Sequence, residues 1–95
     1  MRNYEVMFIL RPELDEQQVQ ANVEKIAGII NNGGEITKTT MMGKRRLAYE
    51  INKIRDGIYV LINFKGTNEV INEMDRVMRI SDEVIRFLIL QDVVA

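Results

Sequence analysis

Two stretches of helical periodicity, each set between stretches of strand periodicity, constrain this chain more than any other feature. Val19, Val23, Ile26, Ala27 and Ile30 recur at helical spacing, and so do Val70, Ile71, Met74, Val77 and Met78. Tyr4-Glu5-Val6-Met7-Phe8-Ile9-Leu10 precedes the first helix. It is almost continuously apolar, so both its faces are expected to be partly covered. Arg11-Pro12 ends this strand, Asp15 is placed to cap the helix with Gln18 closing a capping box, and Asn31-Asn32-Gly33-Gly34 stops it.

Residues 35–42 suit a polar, exposed strand, and Gly43 predicts a bulge or bend within it. Residues 46–51 resume the alternation, with Leu47, Tyr49 and Ile51 on one face and Arg46, Ala48 and Glu50 on the other. Asp56-Gly57 predicts a tight reversal. Residues 58–65 follow as a strand, with Val60, Ile62 and Phe64 opposite Tyr59, Leu61 and Asn63. Gly66-Thr67-Asn68 leads into the second helix and Ser81-Asp82 out of it. The last strand sets Ile85, Phe87 and Ile89 against Arg86, Leu88 and Leu90.

The order strand, helix, strand, strand, helix, strand, with right-handed crossovers, predicts a ferredoxin-like α+β fold: a four-stranded antiparallel sheet with both helices on one face. Ninety-five residues leave room for one domain, spanning 1–95, and no second core. The first and third strands take the centre. Glu5, Met7, Ile9, Tyr59 and Leu61 then lie on a face that no helix of this chain covers. Met7, Ile9, Leu61, Leu88 and Leu90 would form an apolar surface there, of the kind that marks a partner contact. Scattered exposed apolar residues on a one-sided sheet are the alternative.

Composition narrows the chemistry. The chain has neither cysteine nor histidine, which removes disulfides, thiolate nucleophiles, the commonest zinc ligands and the side chain that titrates near neutrality. No phosphate-cradling loop, serine triad or dinucleotide fingerprint occurs, and no cofactor is implied. Glu13, Asp15 and Glu16 read as helix capping and dipole complementarity, not as a metal site. Glu5 inside the first apolar run is unlike a signal peptide, and no stretch approaches the ~20 apolar residues that span a bilayer. A cytoplasmic location and no membrane partner are the expectation.

The formal net charge is −1. Against it stands Gly43-Lys44-Arg45-Arg46, the head of a segment to Asp56 with five cations and two acids. Such a cluster can meet phosphates, or can protect an edge strand from sheet-to-sheet association. Arg2 and Arg86 lie on neighbouring strands and are expected to add cations near each other, and Arg76 and Arg79 lie on the second helix. Only Tyr59 falls on the open face of a central strand, so base stacking on the sheet is not expected. Tyr4 and Tyr49 read as core packing. Two rivals share the fold. An acylphosphatase-like enzyme would use Arg11 for phosphate and Asn63 for water, and a homodimeric ligand-sensing domain would pair its open sheet with a copy of itself.

Met1-Arg2-x-Tyr4-Glu5, Gly43-Lys44-Arg45-Arg46-Leu47-Ala48-Tyr49 with Ile51, Asp56-Gly57-x-Tyr59, and Arg79-Ile80-Ser81-Asp82-x-Val84-x-Arg86 occur in this order. Together they resemble the family of the sixth protein of the bacterial small ribosomal subunit. The resemblance implies a ferredoxin-like, non-enzymatic protein that binds small-subunit ribosomal RNA together with the small, basic ribosomal protein eighteen. On that reading Arg2, Lys44, Arg45, Arg46 and Arg86 are the expected RNA contacts. Glu5, Met7, Ile9, Ala48, Tyr59 and Leu61 are the expected partner surface. Many members carry proline where this chain has Glu50. Some have a longer tail that reaches the partner, whereas this sequence stops at Ala95, so the sheet and basic segment are expected to carry more of the interface.

Overall fold

The structure is a computed structural model and describes residues 2–51 and 54–91, with the side chains of 44–51 and 54–56 outside the description. Along the chain run β1 (Arg2–Leu10), α1 (Glu16–Asn31), β2 (Glu35–Ile51), β3 (Ile54–Gly66), α2 (Asn68–Ile80) and β4 (Val84–Gln91). The strands form one antiparallel sheet in the order β2-β3-β1-β4. This is the predicted ferredoxin-like arrangement, with β1 and β3 central.

Strand alternation divides the sheet. Tyr4, Val6, Phe8 and Leu10 of β1 and Ile58, Val60, Ile62 and Phe64 of β3 point into the core. There they meet Val19, Val23, Ile26 and Ile30 of α1 and Val70, Met74 and Met78 of α2. Tyr4 and Phe64 are cross-strand partners and stack, with ring centroids 5.5 Å apart. Tyr4 is thus a core residue as expected, while Tyr49 lies outside the described side chains.

The predicted capping box forms. Gln18 N donates to Asp15 Oδ1 at 2.8 Å, and Asp15 N donates to Gln18 Oε1 at 3.0 Å. The buried face of α1 also contains Asn22, which the apolar pattern omits, while Ala27 is only half-buried. Asn22 Nδ2 donates to Gln18 O at 2.9 Å and to Glu83 Oε1 at 3.2 Å. Arg11 reaches the same loop, its backbone N donating to Glu83 O and its Nε to Asp82 O. These bonds fasten the start of β4 to α1 and to the end of β1.

The β2 ladder against β3 shifts register at three places, beside Thr37, beside Gly43 and between Arg46 and Ile51. Gly43 has φ +77°, and the register shifts beside it, so the expected bulge is present. A second shift surrounds Thr37, whose Oγ1 donates to Asn63 O at 3.0 Å. The reversal expected at Asp56-Gly57 does not occur there. Arg46 pairs with Asp56, Arg45 with Gly57, and Ile51 with Ile54, so the ladder runs through both residues. Gly57 answers to packing instead: a Cβ there would run into Ile9 Cγ2 on β1.

Two glycines should respond oppositely to alanine. At Gly34 a Cβ would strike the Lys65 carbonyl oxygen, whereas at Gly28, within α1, it would meet nothing within 4 Å. Urea unfolding should show Gly34→Ala destabilised by about 1–3 kcal/mol. Gly28→Ala should be stabilised by roughly 0.5–1 kcal/mol.

Candidate partner and nucleic-acid interface

The register arranges the helix-free face in rows that cross the sheet. One row is Lys38, Asn63, Glu5 and Leu90; the next is Thr40, Leu61, Met7 and Leu88; a third is Gly43, Tyr59, Ile9 and Arg86. The expected placement of Glu5, Met7, Ile9, Tyr59 and Leu61 on this face holds. Glu5, Met7, Tyr59 and Leu61 are half-buried. Leu88 and Leu90 are 47% and 43% exposed. The middle of the face is therefore apolar and open to solvent, since both helices are committed to the other side. Ile9 is nearly buried at 5% and offers little surface. Ala48 falls outside the described side chains.

One polar pair interrupts the apolar surface. Asn63 Nδ2 donates to Glu5 Oε2 at 3.2 Å, and Asn63 is only 8% exposed. Sequence patterning puts both residues on this face but gives no sign of the bond, because it joins positions 58 residues apart.

The cations separate into two groups. Lys44 pairs with Ile58, Arg45 with Gly57 and Arg46 with Asp56, so their backbone lies beyond the Gly43 row. Their side chains are outside the description. Arg86 pairs with Ile9 and belongs to the same end of the sheet. Arg2 pairs with Gly66 at the other end. The expected nearness of Arg2 and Arg86 fails, because antiparallel register puts them about 23 Å apart along β1. Arg76 and Arg79 lie on α2, paired with Glu73 and Asp75, and Arg79 also sits over the Phe87 ring. The Arg76 guanidinium holds the exposed Glu73 carboxyl below the usual carboxylate range.

Phosphate chemistry of the acylphosphatase kind does not fit. Arg11 Nε donates to Asp82 O at 2.7 Å and its Nη1 lies 3.9 Å from Glu13. Asn63 opposes Glu5, roughly 20 Å away along β1, and bonds to a carboxylate. Among the described residues no cluster of His, Cys, Asp and Glu could hold a metal ion, and no helix is long and apolar enough to cross a membrane.

One sheet with both helices on one side and a largely apolar face on the other makes this a ferredoxin-like α+β protein. The family model described as Ribosomal protein S6 matches residues 3–91. The small ribosomal subunit protein bS6 of Desulforamulus reducens is 50% identical over 93 residues, 97% of this chain and 98% of that protein. That of Clostridium acetobutylicum is 52% identical over 91 residues, 95% of this chain and 96% of that one. The structure of 30S ribosomal protein S6 from Thermotoga maritima superposes with a TM-score of 0.89 at 35% identity, over 95% of this chain and 86% of that one. The chain belongs to the ribosomal protein S6 family, whose members are structural, non-enzymatic proteins of the small ribosomal subunit and hence cytoplasmic in bacteria.

The two faces of the sheet should differ sharply when trimmed. Phe8→Ala, on the helix side, should lower stability by about 3–5 kcal/mol in denaturant titration. Leu88→Ala, on the open side, should lower it by less than about 1 kcal/mol.

Proposed function

We propose that this chain binds small-subunit ribosomal RNA jointly with ribosomal protein eighteen, as one ferredoxin-like domain spanning residues 1–95. The carrying observation is the uncovered apolar surface of Met7, Leu61, Leu88 and Leu90 on a sheet whose helices are already spent on the other face. A net charge of −1 supports a shared interface. Protein that binds RNA alone by electrostatics is usually strongly basic, so a basic partner supplies what this chain lacks.

The partner surface consists of Glu5, Met7, Ile9, Ala48, Tyr59 and Leu61, extended by Leu88 and Leu90. The RNA contacts are Lys44, Arg45, Arg46 and Arg86 at one end of the sheet and Arg2 at the other. Family membership supports the reading, since the relatives are named as small-subunit ribosomal proteins.

Filter binding to small-subunit RNA over a salt series tests it. The chain alone should bind weakly, and the chain with ribosomal protein eighteen strongly. Reversing Lys44, Arg45 and Arg46 to glutamate should lower the log–log salt slope by about 2–3. An unchanged slope would remove the cluster from the RNA interface, and equal binding with and without the partner would remove the partnership.

A further inference from the structure

We infer that Glu5 is the charge determinant of the open sheet face, held in place by Asn63, and that it receives an arginine from the protein that covers Met7, Leu61, Leu88 and Leu90. The inference rests on the sheet-face reading of the partner site. It adds to that reading a specific requirement on the partner and a positioning role for Asn63.

Glu5 lies on central strand β1 between Asn63 of β3 and Leu90 of β4. Its side chain is half-buried, and Oε2 accepts from Asn63 Nδ2 at 3.2 Å. Asn63 is 8% exposed, and its backbone oxygen accepts from Thr37 Oγ1. The Thr37 bond holds the Asn63 backbone, burial restricts its side-chain amide, and that amide holds the carboxylate against the sheet. A carboxylate accepts several hydrogen bonds, so capacity is left for a donor from above the sheet. Among the described residues no cation is paired with Glu5.

Covering the face with purely apolar side chains would take water from this carboxylate and return nothing, which is strongly unfavourable. A partner that seals the leucines must therefore bring a cation to this point. Arginine suits it better than lysine, because guanidinium is planar, weakly hydrated and made for carboxylates at interfaces. Lys38 pairs with Asn63 in the row of Glu5, and Lys65 pairs with Asn3 and Glu35 in the next row, so both lysines flank Glu5 on the same face, and both are exposed. They oppose a basic side chain placed beside them. Glu35 is exposed next to Lys65, so Glu5 is the half-buried carboxylate of this group, and it sets the register of a basic partner as well as its affinity.

Isothermal titration of the small basic partner into the chain and its variants tests this, with folding of each variant checked by circular dichroism and urea midpoint. Glu5→Gln is isosteric and should weaken binding at least about 30-fold, the usual effect of removing one member of a buried charge pair. Asn63→Ala should weaken it less, and should add nothing in the Glu5→Gln background. Leu88→Asp should abolish binding. If Leu88→Asp binds like the parent, the sheet-face reading fails. If Leu88→Asp is inactive but Glu5→Gln stays within about twofold of the parent, only the present inference is overturned. Sedimentation of the chain alone should give a monomer; a dimer dispersed by Glu5→Gln would assign the carboxylate to a second copy and overturn the occupant.

Discussion

Burial of alternate residues of β1 and β3 beneath two helices is the constraint from which the rest of this molecule follows. Val6, Phe8, Leu10, Val60 and Ile62 are fully buried. A slip of one residue in either strand would turn that whole set to the other face. The register is therefore strongly determined, and it in turn assigns every residue on the opposite face to a row. The rows bring Glu5 beside Asn63 and Leu61 beside Met7, and they move Arg2 away from Arg86. The open face is a by-product of core packing: the side that the helices cannot reach displays whatever alternates with the core.

Much of this is legible in the sequence, and the failures have definite causes. Element order, the Asp15–Gln18 capping box and the Gly43 bulge follow from local patterns, because each depends on residues a few positions apart, and the central strands follow from that order with right-handed crossovers. Asp56-Gly57 misleads because a glycine has two uses. Asp-Gly favours a hairpin turn, but here Gly57 clears space for Ile9 on a neighbouring strand, which no local pattern reports. The nearness assumed for Arg2 and Arg86 needs the sheet register, not only the knowledge that their strands adjoin. Asn22 and Asn63 interrupt the expected apolar logic for the same reason. Their partners, Glu83 and Glu5, lie far away in the chain.

The same contrast applies to the site. Alternation is enough to put Glu5, Met7, Tyr59 and Leu61 on the open face, and composition is enough to isolate the Lys44–Arg46 cluster. Neither says how much each residue shows. Ile9 shares the face yet is almost covered, while Leu88 and Leu90 on the edge strand stand out most. Central strands are flanked on both sides, so their side chains shade one another, and an edge strand lacks one neighbour. Exposure within a sheet face thus follows strand position, which the β2-β3-β1-β4 order decides.

That order also explains how the chain can expose an apolar face without exposing a uniform template for other sheets. β2 is an edge strand, but its ladder is broken at Thr37 and at Gly43, and bulges of this kind spoil regular edge pairing. Lys38 sits between the breaks at Thr37 and Gly43 and is exposed. On the other edge, β4 carries its own irregularity where the register shifts between Ile9 and Leu10. Protection of the edges leaves the face itself as the accessible apolar surface. On that face a half-buried carboxylate makes nonspecific apolar cover unfavourable, because it would lose water without gaining a donor. An apolar surface that is shielded at its edges and carries a half-buried charge favours a partner of matching shape and charge over a chance neighbour.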